Sequence, residues 1–302
     1  MDLQKFINTK YGVRIGLALG RMMPPNIGYR LAVSTAKILA KQKESKMVKA
    51  VRINQWVVRG EKLSSEKLDQ AVIDVFSHSG RCFIDLYKNM QSPERIKARV
   101  LDSPEAQELC RQSQNRELGA FIVAPHVSNF DLALLSLAYR GLHAQVLTYG
   151  QPTGGYEIQN EIRASTGLDI TPVSPEVHEK AIENMRTGGF VITAVDRPIR
   201  SKAHYLNFFG RPSPLPAGHI RMALKANAPI IVASALMDND EDYHIQFSDP
   251  IPMQRHDDPE TEIRINGEAV LQVIEERIRA NPGQWLMFYP AWPEQIMSGN
   301  DE

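Results

Sequence analysis

Apolar residues between position 1 and about 117 recur three and four apart, the spacing that lines one face of a helix. From Gly119 the rhythm changes to short apolar runs alternating with helical stretches. The helical part breaks at "MMPPN", "RGEKLSS" and "MQSPE", and Ser65 stands before its longest periodic run, "EKLDQAVIDVFSHSGRCFIDLYKNM". In the second part strands are expected at "AFIVAP", "AQVLTY", "DITPV", "FVITAV", "YLNFF", "PIIVASAL" and "YHIQFSD". Helices are expected at about residues 129–140, 155–166, 176–187, 215–227 and 258–280. Strands alternating with helices of that length imply an α/β fold, a mainly parallel central sheet flanked by helices, preceded by an N-terminal helical region. The expected organisation is a helical region over 1–117 packed on an α/β body over 118–302, the two making one functional unit.

Composition changes this picture little until charge is mapped along the chain. Hydrophobic residues at 43% and charged residues at 23% are ordinary globular usage. Cys82 and Cys110 are too few for a disulfide framework or a zinc site, so a reducing compartment and no bound metal are expected. The net charge is zero, yet residues 1–52 carry eleven Lys and Arg against Asp2 and Glu44, a local charge of +9. That asymmetry points to an anionic partner at the N-terminal end. "GVRIGLALGRMMPP" and "IGYRLAVSTAKILAKQ" are too interrupted by bases to span a bilayer, and no signal-peptide cleavage pattern follows them. They read as amphipathic helices with apolar and basic faces, a composition suited to an anionic membrane surface. Scaffold helices with a solvated basic face are the alternative. Stacking aromatics are sparse there, which argues against single-stranded nucleic acid, and no nucleic-acid partner is expected.

The stretch "GAFIVAPHVSNFDLALLSLAYRG" runs from strand to helix through Pro125 and His126, with Asp131 five positions beyond the histidine. The same His-x4-acid spacing occurs at His178 with Glu183 and at His244 with Asp249. On a continuous helix, five residues turn the chain through roughly 500°, which separates His178 from Glu183. Along a strand, an odd spacing sends His244 and Asp249 to opposite faces. At His126 a chain bend allows the carboxylate to come back to the imidazole, beyond the carboxyl end of a strand where open α/β sheets place ligands. The competing local reading is a capping box in which Asp131 serves Ser128.

"APHVSNFD" resembles the His-x4-Asp/Glu block of the glycerolipid acyltransferase superfamily. The order of later features resembles its branch of lipid A biosynthesis and phosphatidylinositol mannoside acyltransferases: "NEIRASTG" with Arg163, "ITAVDRP" with Asp196 and Arg197, "NFFGRPSPLPAGHIRMALKANAPII" with Gly210 and Gly218, and a closing "NPGQWLMFYPAW". The Phe-Pro-Glu-Gly block of the wider superfamily is absent. The resemblance implies direct transfer of an acyl chain from acyl-CoA or acyl carrier protein to a hydroxyl of a glycolipid or lysophospholipid, without a cofactor. His126 and Asp131 are then expected to act as a general base pair, the acid fixing the ring tautomer. No Gly-x-Ser-x-Gly elbow is present for a covalent route.

Arg163, Arg197, Arg200 and Arg211 are suited to phosphate or the donor's pantetheine arm. Asp196 is expected either to bind acceptor hydroxyls or to pair with a neighbouring arginine. Gly210 and Gly218 read first as turn glycines near the substrate. Oxyanion donors are sought either at the start of the 129–140 helix or at Arg197. The expected setting is the cytoplasmic face of the inner or plasma membrane, held peripherally, with a lipid acceptor and possibly acyl carrier protein as partners. A non-catalytic lipid-binding protein on the same scaffold, with His126 structural, is the competing reading. A nucleotide-binding enzyme lacks its Gly-x-Gly-x-x-Gly.

Overall fold

The computed structural model describes residues 24–151, 154–199, 204–239 and 241–292. Residues 1–23, with their basic residues and most of the expected amphipathic helix "GVRIGLALGRMMPP", and Arg200 lie outside the described residues. Among the described residues five helices come first: α1 (Pro25–Ala40), α2 (Lys46–Val58), α3 (Ser65–Asn89), α4 (Pro93–Arg99) and α5 (Pro104–Asn115). Starts are set by local chemistry, since Ser64, Ser92 and Ser103 accept the N–H groups of Lys67, Arg95 and Ala106. The cap of α3 is thus Ser64, one residue before the serine expected. The apolar spacing of α3 buries Leu68, Ala71, Val72, Val75 and Phe76 along one face.

The body follows as β1 (Ala120–Ala124), α6 (Phe130–Tyr139), β2 (Ala144–Thr148), α7 (Gly155–Ala164), β3 (Asp169–Pro172), α8 (Pro175–Arg186) and β4 (Phe190–Ala194). It continues with β5 (His204–Phe208), β6 (Arg211–Leu215), α9 (Gly218–Ala226), β7 (Ile230–Met237), β8 (Tyr243–Phe247) and α10 (Pro259–Ala280), then a tight turn at Pro282–Gln284. Six strands form one sheet in the order β3-β2-β4-β1-β7-β8, parallel except for the β7–β8 pair. This is the α/β architecture, with its N-terminal helical region, that the alternation implied.

Side chains alternate across the sheet and define two cores. Phe121, Val123, Leu147 and Val191 face one way, into a cluster with Ile182 and Met185 of α8 and Val270, Leu271 and Ile274 of α10. Ala120, Ile122, Val146, Phe190 and Ile192 face the other way, onto Leu109 of α5 and Leu137 and Ala138 of α6. Burial on both faces explains why β1 and β4 read as continuous apolar runs. Each large side chain sealed there, such as Phe121 or Phe190, contributes roughly 1.5–3 kcal/mol.

Of the hairpin β5–β6, the apolar pattern announces only the first half. Pro212 and Pro214 cannot donate to a ladder, and they hide β6 and put the expected start of the following helix near 215 instead of Gly218. Phe209 and Gly210 close the hairpin with positive φ angles of 53° and 76°, as a two-residue turn demands. The N-terminal helices lock onto the closing segment of the body. Asn54 donates to the carbonyls of Met287 and Tyr289 and accepts the N–H of Ala291, while Gln55 donates to the carbonyl of Pro282.

Candidate active site

The register of two neighbouring parallel strands builds the centre of the site. Ala124 of β1 lies opposite Ala194 of β4, and each chain then runs two residues past its strand, to His126 and Asp196. Asp196 has no exposed surface, and it accepts three hydrogen bonds. Its Oδ1 takes the His126 Nδ1 proton at 2.6 Å, and its Oδ2 takes the His126 backbone N–H at 2.9 Å and the Trp285 indole N–H at 2.8 Å. An ionised carboxylate only accepts, so the neutral ring carries its proton on Nδ1 and leaves Nε2 as a free base.

Burial penalises charge on both partners, and their interaction overcomes it. Burial lowers the His126 pKa, but the charge and hydrogen bond of Asp196 outweigh it and hold the ring above its ordinary value. Burial likewise raises Asp196, but the charge of His126 and the hydrogen bonds from His126 and Trp285 hold it below the ordinary carboxylate range. The imidazole packs edge-on against Phe130, with centroids 5.2 Å apart, and a quarter of its surface stays exposed. Among the described residues Nε2 makes no hydrogen bond.

The expected hydrogen bond between His126 and Asp131 is not formed. Helix α6 begins at Phe130, and its first turn directs the Asp131 carboxylate to Arg163 of α7, which donates from Nε at 3.0 Å and Nη2 at 2.5 Å. Arg163 also donates to Asn160 at 2.9 Å and lies 5.6 Å from the Tyr156 ring centroid. The charge of Asp131 still favours protonation of His126, as a weaker contribution than that of Asp196. The capping-box reading fails as well. Asn129 is the cap, accepting the Leu132 N–H, while the Ser128 N–H goes to the carbonyl of Gln284.

Arg197 follows Asp196, stacks over Tyr289 with 4.0 Å to its centroid, and opposes charge on His126. Arg211 instead belongs to the hairpin, where it pairs with Glu61 and covers Trp56. Gly210 lies in the hairpin turn with a positive φ, while Gly218 opens α9 with ordinary helical backbone. Among the described residues no cluster of His, Cys, Asp and Glu could hold a metal ion. Asp196 as the ring's partner and Trp285 as its second anchor escape sequence reasoning, because both require the strand order. The available signal is weak: two strands each ending two residues before a polar group.

A family model described as bacterial lipid A biosynthesis acyltransferase matches residues 3–294. The chain belongs to that family. Phosphatidylinositol mannoside acyltransferases of Mycobacterium tuberculosis, from strains CDC 1551 / Oshkosh and ATCC 25618 / H37Rv, are each 24% identical to it over 179 residues, 58% of this chain and 55% of theirs. The chain thus spans about half the length of the curated relatives it matches. Membership of this family makes acyl transfer in lipid biosynthesis the chemistry against which the site is read.

Proposed function

We propose that the protein is an O-acyltransferase that moves a fatty acyl chain from acyl-CoA or acyl carrier protein directly to a hydroxyl of a glycolipid or lysophospholipid. The single observation that carries this reading is the free Nε2 of His126, backed by a buried Asp196 on Nδ1 at 2.6 Å. Nε2 takes the proton of the acceptor hydroxyl as its oxygen attacks the thioester carbonyl, and Asp196 stabilises the imidazolium formed. The C–S bond then breaks, and the imidazolium returns the proton to the departing thiolate, which leaves no covalent enzyme intermediate. Asp131 has a different role from the one expected, holding Arg163 at the edge of the site.

Helix α6 starts four residues after His126, and the Asn129 side chain uses the Leu132 N–H. First-turn N–H groups have no intrahelical acceptor, so those of Phe130 and Asp131 are suited to the oxyanion of the tetrahedral intermediate. Arg197, whose charge is felt at His126, is a cation suited to a phosphate or the oxyanion.

Helix α1 supports a peripheral attachment to an anionic membrane surface, and the cytoplasmic face is the side we propose for it. Ile27, Leu31 and Ile38 share one face and are 58%, 52% and 63% exposed, with exposed Arg30, Lys37 and Lys41 along the next row. Among the described residues no helix is long and apolar enough to cross a membrane.

Thioester-dependent acylation of lysophospholipid and glycolipid acceptors, followed by mass spectrometry, tests the reaction. His126→Ala is expected to lose about 10²–10⁴-fold in turnover, together with some thermal stability because the buried Asp196 loses its partner. Unchanged turnover in the mutant rejects the mechanism; lipid binding without any thioester turnover by the wild type favours the non-catalytic reading.

A further inference from the structure

Behind the His126 turn lies a buried polar cluster to which the reaction assigns no role. Ser128 is 1% exposed and has φ 50°, a left-handed conformation that glycine adopts freely and serine does not. Its backbone N–H is held by the Gln284 carbonyl at 2.8 Å, and its Oγ lies 2.9 Å from Nε2 of His78 on α3. One turn further along α3, the Cys82 carbonyl accepts from the Asn129 side chain at 2.9 Å, and the Cys82 sulfur lies 3.4 Å from the same His78 nitrogen. Burial first, then the charge of Arg81, pushes His78 down to about 4, which keeps it neutral.

The position of α3 is itself fixed. Asp85, 2% exposed, accepts from the Tyr243 hydroxyl at 2.7 Å and from Arg99 at 3.3 Å, and it takes the Tyr29 hydroxyl from α1. A strained residue is retained only where its surroundings over-determine it. Glycine would relieve the backbone at position 128, so the serine side chain has its own use, and its closest partner is His78. Two residues before it stands His126, whose carbonyl accepts from Leu286 at 2.8 Å.

We propose that His78 is a positioning residue: through Ser128 Oγ it holds the left-handed kink that keeps the His126 ring aligned on Asp196. This deepens the acyltransferase reading and rests on it for any effect on rate, but not for the geometry of the ring.

The full-length protein, labelled with ¹⁵N-histidine, provides a readout independent of turnover. The groups acting on His126 are Asp196, Arg197 and Asp131, and none is altered by substitution at 78 or 128. His78→Ala is expected to move the His126 titration down by half a unit or more and to lower kcat at least tenfold with KM changed less than threefold. His78→Gln keeps an amide near Ser128 and is expected to restore both. Ser128→Gly, which removes backbone strain while leaving His78 in place, should behave like His78→Ala and also guards against that variant failing to fold. A Ser128→Gly protein with the wild-type His126 titration overturns the proposal. A folded His78→Ala protein that merely melts earlier, with titration unmoved, does the same. If the wild-type protein transfers no acyl group, the acyltransferase reading fails, while the titration arm still decides whether His78 positions the ring.

Discussion

At the scale of single residues, two carboxylates near one imidazole have separated into different tasks. Asp196 is fully enclosed and faces donors only, whereas Asp131 neutralises an arginine whose side chain is 9% exposed. Removing one partner of such a buried pair leaves the other charge uncompensated, at a cost of about 3–5 kcal/mol. Asp131→Asn is therefore expected to destabilise the protein by up to that amount in urea unfolding while shifting the acidic limb of any pH–rate profile only slightly. A profile shifted as far as in an Asp196 variant would return Asp131 to the imidazole. The sequence makes His126 conspicuous because proline, histidine and a cap follow one another at a strand end. It cannot select the acid. Spacing favours Asp131, five positions away, but the decisive contact spans seventy positions and depends on β1 and β4 being neighbours in register.

At the scale of elements, helix α3 combines a long apolar stripe with a histidine it keeps uncharged. The folded pKa of His78, about 4, lies below the ordinary 6.5, so between those values the unfolded chain binds the proton that the folded chain refuses. Its stabilising contribution is complete above pH 6.5 and is lost as pH falls toward 4, on the order of 3 kcal/mol. His126, held above its ordinary value, acts in the opposite sense, its contribution disappearing as pH rises through the folded value. Comparing urea unfolding at pH 7 and pH 4.5 isolates the first effect. Wild type should lose more stability than His78→Gln across that interval, and equal losses would show that His78 is protonated in the fold. Periodicity reveals α3, α10 and the parallel strands because each buries a regular stripe or run. It fails at β6, where Pro212 and Pro214 suit a two-stranded hairpin but imitate a loop.

At the scale of the whole molecule, the uneven charge of a formally neutral chain becomes a surface proposal. Helix α1 turns Gly28 and Ala36 inward, and a Cβ added at Gly80 of α3 would meet the Ala32 Cβ at 2.8 Å, so small residues let the two helices approach closely. The larger Ile27, Leu31 and Ile38 are left facing outward beside the bases. Each base near an anionic surface is worth about 1 kcal/mol. Reversing Arg30, Lys37 and Lys41 to glutamate together should weaken sedimentation with phosphatidylserine-containing vesicles by about 10²-fold or more, and high salt should weaken the wild type similarly. Binding indifferent to both changes would assign α1 a scaffold role alone.

If Asp196, acting through Nδ1, makes His126 the base of the reaction, the pH dependence of acyl transfer must change in Asp196→Asn when it is measured beside wild type. Wild type should lose activity as pH falls through a histidine pKa raised from its ordinary value, because only the neutral ring accepts a proton. Asp196→Asn should fall about 10²–10⁴-fold in kcat, with its acidic limb moved to lower pH. A variant with the wild-type rate and an unmoved limb would contradict the assignment.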